Sequence, residues 1–235
     1  VELRPFAPVL TVLSALVCGL LAAGSGPVTK GTRRISTASA ATLPSSPPVA
    51  TASASASFEV VAAEEPPPAT VAKLSIGAGT KVLVFGDSMV DAGFAQRLEA
   101  LVKARGGTLA HDAWVSSTTT SWSKGDRLDA LLARHQPDVV IVALGANEVS
   151  LPAPEAVAQR IRAIVAKLGA RPCVWVGPPI WKGETGIVGV ERANAAPCGF
   201  FDSGGVVVER ARDGIHPTAK GGRDWAEAVF AAVVE

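Results

Sequence analysis

Tyrosine is absent from the 235 residues, aromatic side chains make up only 5% of them, and there are three cysteines and three histidines. Three cysteines are too few for a disulfide-built scaffold. His111 and His135 have no triad partner nearby, and no metal-ligand spacing occurs, so neither a metal nor a cofactor is expected. Neither sign of charge is in excess, with 22 Lys and Arg against 21 Asp and Glu. That balance excludes a nucleic-acid binder held by a basic face and an acidic solvating protein. Only one apolar run is long enough to reach across a membrane.

What is present is unevenly distributed. Residues 1–79 hold 5 basic and 4 acidic side chains, residues 80–235 hold 17 of each, and all five tryptophans fall in the second part. From Phe6 to Ala23 the chain carries no charge; Arg4 precedes this run and Ala22, Ala23, Gly24 and Ser25 follow it. A basic start, an apolar middle and a small-residue exit are the layout of a secretory signal peptide, and the run is also long enough to stay as a membrane anchor. Residues 1–25 are therefore read as one or the other. Cys18 does not make the run a lipoprotein signal, because Val17 is bulky where such signals carry a small residue.

Residues 26–79 read as a linker. Of the 48 positions from 25 to 72, 34 are Ala, Ser, Thr, Pro or Gly. So little large apolar surface cannot offset the entropy of ordering the chain, and proline extends it.

Residues 80–235 are expected to form one domain. Lys81–Phe85 is a short β-branched run of the kind that makes a buried parallel strand. Ala92–Arg105 carries Phe94, Leu98, Leu101 and Val102 on one helical face and stops at Gly106-Gly107. Thr108–Val115 is a weaker strand, and Asp126 is placed to cap a helix that ends before Pro137. Asp138–Leu144 is the clearest central strand, Pro154–Leu168 an amphipathic helix, and Cys173–Val176 a fourth strand. A short fifth lies near Phe200–Phe201, and Ala219–Val234 closes the chain as a helix. This alternation predicts a parallel sheet covered by helices on both faces. Cys173 opens the fourth strand and Cys198 lies just before the fifth; if those strands are neighbours the two meet at one end of the sheet, as a disulfide if exported or as two buried thiols.

Ligands of open α/β sheets bind beyond the carboxyl ends of the strands. Gly86-Asp87-Ser88-Met89 follows the first strand, Ser116-Ser117-Thr118-Thr119 the second and Gly145-Ala146-Asn147-Glu148 the third; Asp213-Gly214-Ile215-His216 precedes the last helix. Alone, each is an ordinary cap or turn. Together they bring a serine, an asparagine and an Asp–His pair to one edge of the sheet. Gly221-Gly222 beside Lys220 lacks the Walker spacing and a preceding strand, and reads as a turn or a loose stretch of helix. Trp122 and Trp181 fall in loops beyond strand ends, where local packing and stacking on a sugar or acyl chain are both open; Trp175 is core.

In these motifs the sequence resembles the SGNH hydrolase superfamily, the GDSL-type esterases and lipases. Gly86-Asp87-Ser88 matches the nucleophile motif with Met89 in place of leucine, Gly145-Ala146-Asn147 the Gly-x-Asn motif with Glu148 in place of aspartate, and Asp213–His216 the terminal Asp-x-x-His. The resemblance spans residues 80–235. It implies a flavodoxin-like three-layer α/β/α sandwich with a central parallel sheet of about five strands, and ester hydrolysis through a serine acyl-enzyme. Ser88, Asp213 and His216 would be the triad, with Gly86, Asp87 and Gly145 supporting the motifs. The oxyanion hole would take the N–H of Ser88, the side-chain amide of Asn147 and a second backbone N–H, which falls to Ser117 by position where the family usually has glycine. Asp87 is expected to organise its turn and to transfer no proton.

Short loops leave little material for a lid or a long acyl tunnel, which favours a small acyl group such as acetyl. The expectation is an exported, monomeric esterase acting on a small-molecule or glycan ester, touching a membrane only through its N-terminal segment. An O-acyltransferase with the same triad, and a silent envelope binding module with this fold, stay open.

Overall fold

A computed structural model describes residues 73–235. The apolar run and most of the Ala/Ser/Pro-rich stretch lie outside the described residues, and no described helix is long and apolar enough to cross a membrane. The folded domain begins before residue 80. Leu74 forms a parallel bridge with Val234, and Leu74 and Ile76 are buried in the core, so this end of the expected linker is part of the domain.

Five strands, β1 (Lys81–Gly86), β2 (Thr108–Ala113), β3 (Val139–Ala143), β4 (Cys173–Val176) and β5 (Gly199–Phe201), form one sheet in the order β2-β1-β3-β4-β5. All neighbours are parallel. This is the three-layer α/β/α fold that the resemblance implied. Alternation explains the two covered faces, since successive side chains of a strand point to opposite sides. Val82, Val84, Ile141, Val174 and Val176 pack with α1 (Phe94–Ala104) and the last helix, α6 (Ala219–Val233). Leu83, Phe85, Val140, Val142 and Trp175 enter the other core, with α3 (Arg127–His135) and α4 (Ala158–Leu168). The edge strand β2 is only partly covered, as its weaker apolar pattern predicts.

Several local expectations change. The Pro154–Leu168 segment is a 3₁₀ turn over Pro154–Val157 followed by α4. Asp126 stands at the start of α3, but its backbone (φ −105°, ψ 0°) is not extended and its carboxylate makes no capping bond. Two helices absent from the sequence reading are present, α2 (Thr119–Ser123) and α5 (Ile187–Asn194). The first consists of poor helix formers held by a reciprocal capping box between Thr118 and Ser121. Trp122 lies on it and is buried, so local packing is its role. Gly221-Gly222 fall in the first turn of α6. A Cβ on Gly222 would collide with the Ala92 carbonyl, so glycine is what lets the helix lie against the chain entering α1.

Cys173 and Cys198 are joined as a disulfide, with Cα atoms 4.7 Å apart. The bond closes a loop of 25 residues at the amino ends of β4 and β5, a constraint on the unfolded chain worth about 3.5 kcal/mol in the chain-entropy account.

Candidate active site

The strand order reverses between β1 and β3, which opens a crevice at their carboxyl ends. The first and third motifs sit there. At the end of β1, Asp87 turns inward and is buried. One carboxylate oxygen accepts from Met89 N at 3.0 Å and the other from Ala146 N at 3.2 Å. It thus stitches the first motif to the third, and burial pushes its carboxyl up to about 7 against the pull of those two N–H groups. Ser88, the next residue, opens a 3₁₀ turn and is half-buried.

Ser88 Oγ lies 2.9 Å from His216 Nε2, and His216 Nδ1 lies 2.7 Å from Asp213 Oδ2. An ionised carboxylate can only accept. Nδ1 therefore carries the proton toward Asp213, and Nε2 is left to accept from the Ser88 hydroxyl. The other oxygen of Asp213 accepts from Ile215 N (2.8 Å) and His216 N (3.0 Å). Asp213 is exposed, and the hydrogen bond from His216, followed by those two N–H groups, holds its carboxyl down at about 2.

Arg210, which the sequence reading did not single out, braces this turn. Its guanidinium donates to Ile215 O at 2.7 Å and Pro179 O at 2.8 Å, and it lies over the Trp181 ring. One side chain thereby joins the acid–base turn to the loop carrying Trp181.

The third motif begins at Gly145, whose φ of +111° favours glycine and whose Cα lies against Glu191 of α5, so that an added Cβ would collide with Oε1. Asn147 Nδ2 donates to Ser117 O at 2.8 Å, which orients the amide and leaves its second N–H unspent. Glu148 turns inward, and its Oε1 accepts from Thr119 N (2.7 Å) and Thr119 Oγ1 (2.9 Å). Burial raises its carboxyl above the usual range.

Ser117 differs from the expectation. Its N–H already donates to Trp114 O at 3.0 Å, and its hydroxyl donates to Gly86 O at 3.3 Å while accepting from Trp122 Nε1 at 2.8 Å. A buried residue so engaged is a structural link and has no free N–H to offer an oxyanion. The left-handed residue of this loop is Ser116 (φ 60°), which is exposed. Its N–H makes no hydrogen bond among the described residues.

With this geometry established, comparison with known proteins is decisive at the level of family. A family model, the GDSL-like Lipase/Acylhydrolase family, matches residues 84–223, from β1 into α6. The chain belongs to this family. As a GDSL-like acylhydrolase it is a carboxylic ester hydrolase. No curated protein sequence matches it.

Solved structures share its fold at low identity. The lipase/acylhydrolase from Enterococcus faecalis is 19% identical with a TM-score of 0.56, over 65% of this chain and 94% of that one. A catalytic mutant of an acetylxylan esterase from Geobacillus stearothermophilus is 18% identical with a TM-score of 0.56, over 67% and 95%. A carbohydrate acetylesterase from Sinorhizobium meliloti is 20% identical with a TM-score of 0.51, over 65% and 97%.

In this GDSL-like acylhydrolase, Ser88, Asn147 and His216 open onto a cavity of about 270 Å³, walled by Met89, Trp181 and Ile215. Trp181, unlike Trp122, is thus at the site. Among the described residues no group of three or more His, Cys, Asp or Glu side chains is placed to hold a metal ion.

Proposed function

We propose that this acylhydrolase is an exported serine esterase that removes a short acyl group, acetyl in the first instance, from a glycan through a Ser88 acyl-enzyme. The observation that carries the reading is the unbroken line Ser88 Oγ–His216–Asp213, at 2.9 and 2.7 Å, opening onto a small cavity.

In the first step His216 Nε2 takes the hydroxyl proton as Ser88 Oγ adds to the ester carbonyl, and Asp213 stabilises the imidazolium. The proton then passes to the leaving alkoxide. In the second half-reaction His216 activates water against the acyl-enzyme and returns the proton to Ser88. The oxyanion is met by the N–H of Ser88, by the unspent N–H of Asn147 Nδ2 and by the N–H of Ser116, which replaces Ser117 in this role.

The acyl size is argued from the small cavity and short loops. Its glycan setting draws support from two of the similar structures, described as an acetylxylan esterase and a carbohydrate acetylesterase, and from Trp181 in the wall. Export rests on the apolar run behind Arg4.

The test is hydrolysis of nitrophenyl esters from acetate to octanoate, and release of acetate from acetylated xylan, by the full chain and by Ser88→Ala. The expected result is turnover greatest for acetate and lost in the variant. Turnover that survives Ser88→Ala would overturn the nucleophile. A preference for octanoate would overturn the short-acyl reading, and acyl transfer to added glycan in place of water would overturn hydrolysis.

A further inference from the structure

Behind the crevice lies a group of carboxyls that the hydrolytic steps do not use. Glu191 is fully buried, and neither of its oxygens has a hydrogen-bond partner. Its carboxyl lies directly against the Cα of Gly145 and near that of Gly177, at the carboxyl ends of β3 and β4. The indole N–H of Trp175 is close enough to favour the anion but is out of hydrogen-bonding geometry, and it too is left unpaired. The other ionisable groups that face Glu191 are Glu148, Asp87 and Glu184, all acidic. No basic group is among those acting on Glu191; Arg160 acts on Glu148 instead.

An ionised Glu191 would need several donors, and apart from the misaligned Trp175 indole N–H those nearby are taken. Ala146 N serves Asp87 and Thr119 N serves Glu148. One indole N–H cannot satisfy both oxygens, so a carboxylate at 191 would also have to draw N–H groups out of the Gly145–Glu148 turn or let water in beneath it. That turn carries Asn147. Resting on the serine-esterase reading above, we infer that Glu191 is a positioning residue for the third motif. As a neutral acid it forms the floor on which Gly145 sits, so the placement of Asn147 depends on a proton held on α5, an element 40 residues further along the chain. In the same direction, burial and the like charges of Glu148 and Asp87 push the Glu191 carboxyl well above the usual range.

The experiment compares the full-length protein with Glu191→Gln, which keeps the shape and fixes the neutral state, and with Glu191→Ala, which removes the floor. Two readouts are followed as pH rises from neutral: kcat on nitrophenyl acetate, and the ¹⁵N–¹H resonances of Gly145 and the Asn147 side-chain amide. Glu191→Gln should keep kcat at neutral pH within about twofold and hold it to higher pH than the parent. Glu191→Ala should lower kcat by roughly tenfold with KM little changed, a fraction of what losing an oxyanion donor costs. The parent's Gly145 and Asn147 resonances should step with pH, and the step should vanish in Glu191→Gln. Superimposable pH dependences in parent and Glu191→Gln would overturn the inference, as would a folded but inactive Glu191→Gln. The resonance step does not require turnover. If it appears while no ester is cleaved, the positioning role is supported and the esterase reading is what fails.

Discussion

Two sets of carboxyls flank the reacting serine, and their surroundings drive them to opposite states. Asp213 is exposed, accepts from His216 and two backbone N–H groups, and is held at about 2. Asp87, Glu148 and Glu191 lie behind the motifs, buried among one another, and all are raised. Residue type is nearly the same in both sets; what differs is the supply of donors relative to the loss of water. Asp213 has three donors and keeps its solvent, so it stays an anion and can steady an imidazolium. The buried set has too few donors for its lone pairs, so its members are driven toward the neutral form and serve as hydrogen-bonded or packed struts.

The contrast can be broken first on its exposed side. Asp213→Asn should lower kcat on the order of 10³- to 10⁴-fold, because an amide at 213 can hold the histidine in the wrong tautomer. Thermal melting should change little, since an amide oxygen at 213 can still accept from Ile215 N and His216 N. Steady-state kinetics beside a melt decides it, and a loss under tenfold would mean that Asp213 does not orient His216.

The buried side should appear in the pH dependence of stability. For Asp87 the folded value lies above the unfolded one, so the folded state binds the proton more tightly. Its contribution is fully present below about 4 and is lost as pH rises to about 7. Over that window the loss is on the order of a few kcal/mol. Asp87→Asn should flatten this part of the curve, measured by urea unfolding at pH 4, 5.5 and 7; an unchanged slope would place the effect on other groups. For Asp213 the sign is reversed, with its contribution present above about 4 and lost as pH falls toward 2.

The smallest effect belongs to the loop between these sides. Ser116→Gly should relieve a left-handed serine and raise stability by about 1 kcal/mol while keeping kcat, because the backbone N–H remains. A fall in stability in the same urea assay would show that the serine side chain contributes more than its backbone conformation costs.

The sheet was legible because β1 and β3 are buried on both faces and so are nearly unbroken runs of β-branched and aliphatic residues. The positions of Ser88 and Asn147 were legible as short motifs at strand ends and those of Asp213 and His216 as a motif before the last helix, and Asp87, expected to organise its turn, bonds Met89 and Ala146. The engagement of the Ser117 N–H was not legible, because only backbone angles separate Ser116 from Ser117 and two adjacent serines give no hint of which is left-handed. Helix α2 is held by its capping box more than by propensity, and α5 contains a glycine and two valines, so neither carries a strong local signal. Glu191 and Arg210 could not be found from spacing. A glutamate on a short helix and an arginine in a loop are ordinary surface residues until the fold encloses them.

The two ends of the described domain meet. Leu74 N donates to Val233 O, and Lys73 and Leu74 share a cavity with Cys173 and Pro197, at the amino ends of β4 and β5. Ser88 and its partners occupy the other pole, at the carboxyl ends of the strands. Coupling the domain to a bead, a film or a fusion partner beside residue 73 or residue 235 would therefore leave the crevice facing away from the support, open to molecules too large to diffuse beneath it.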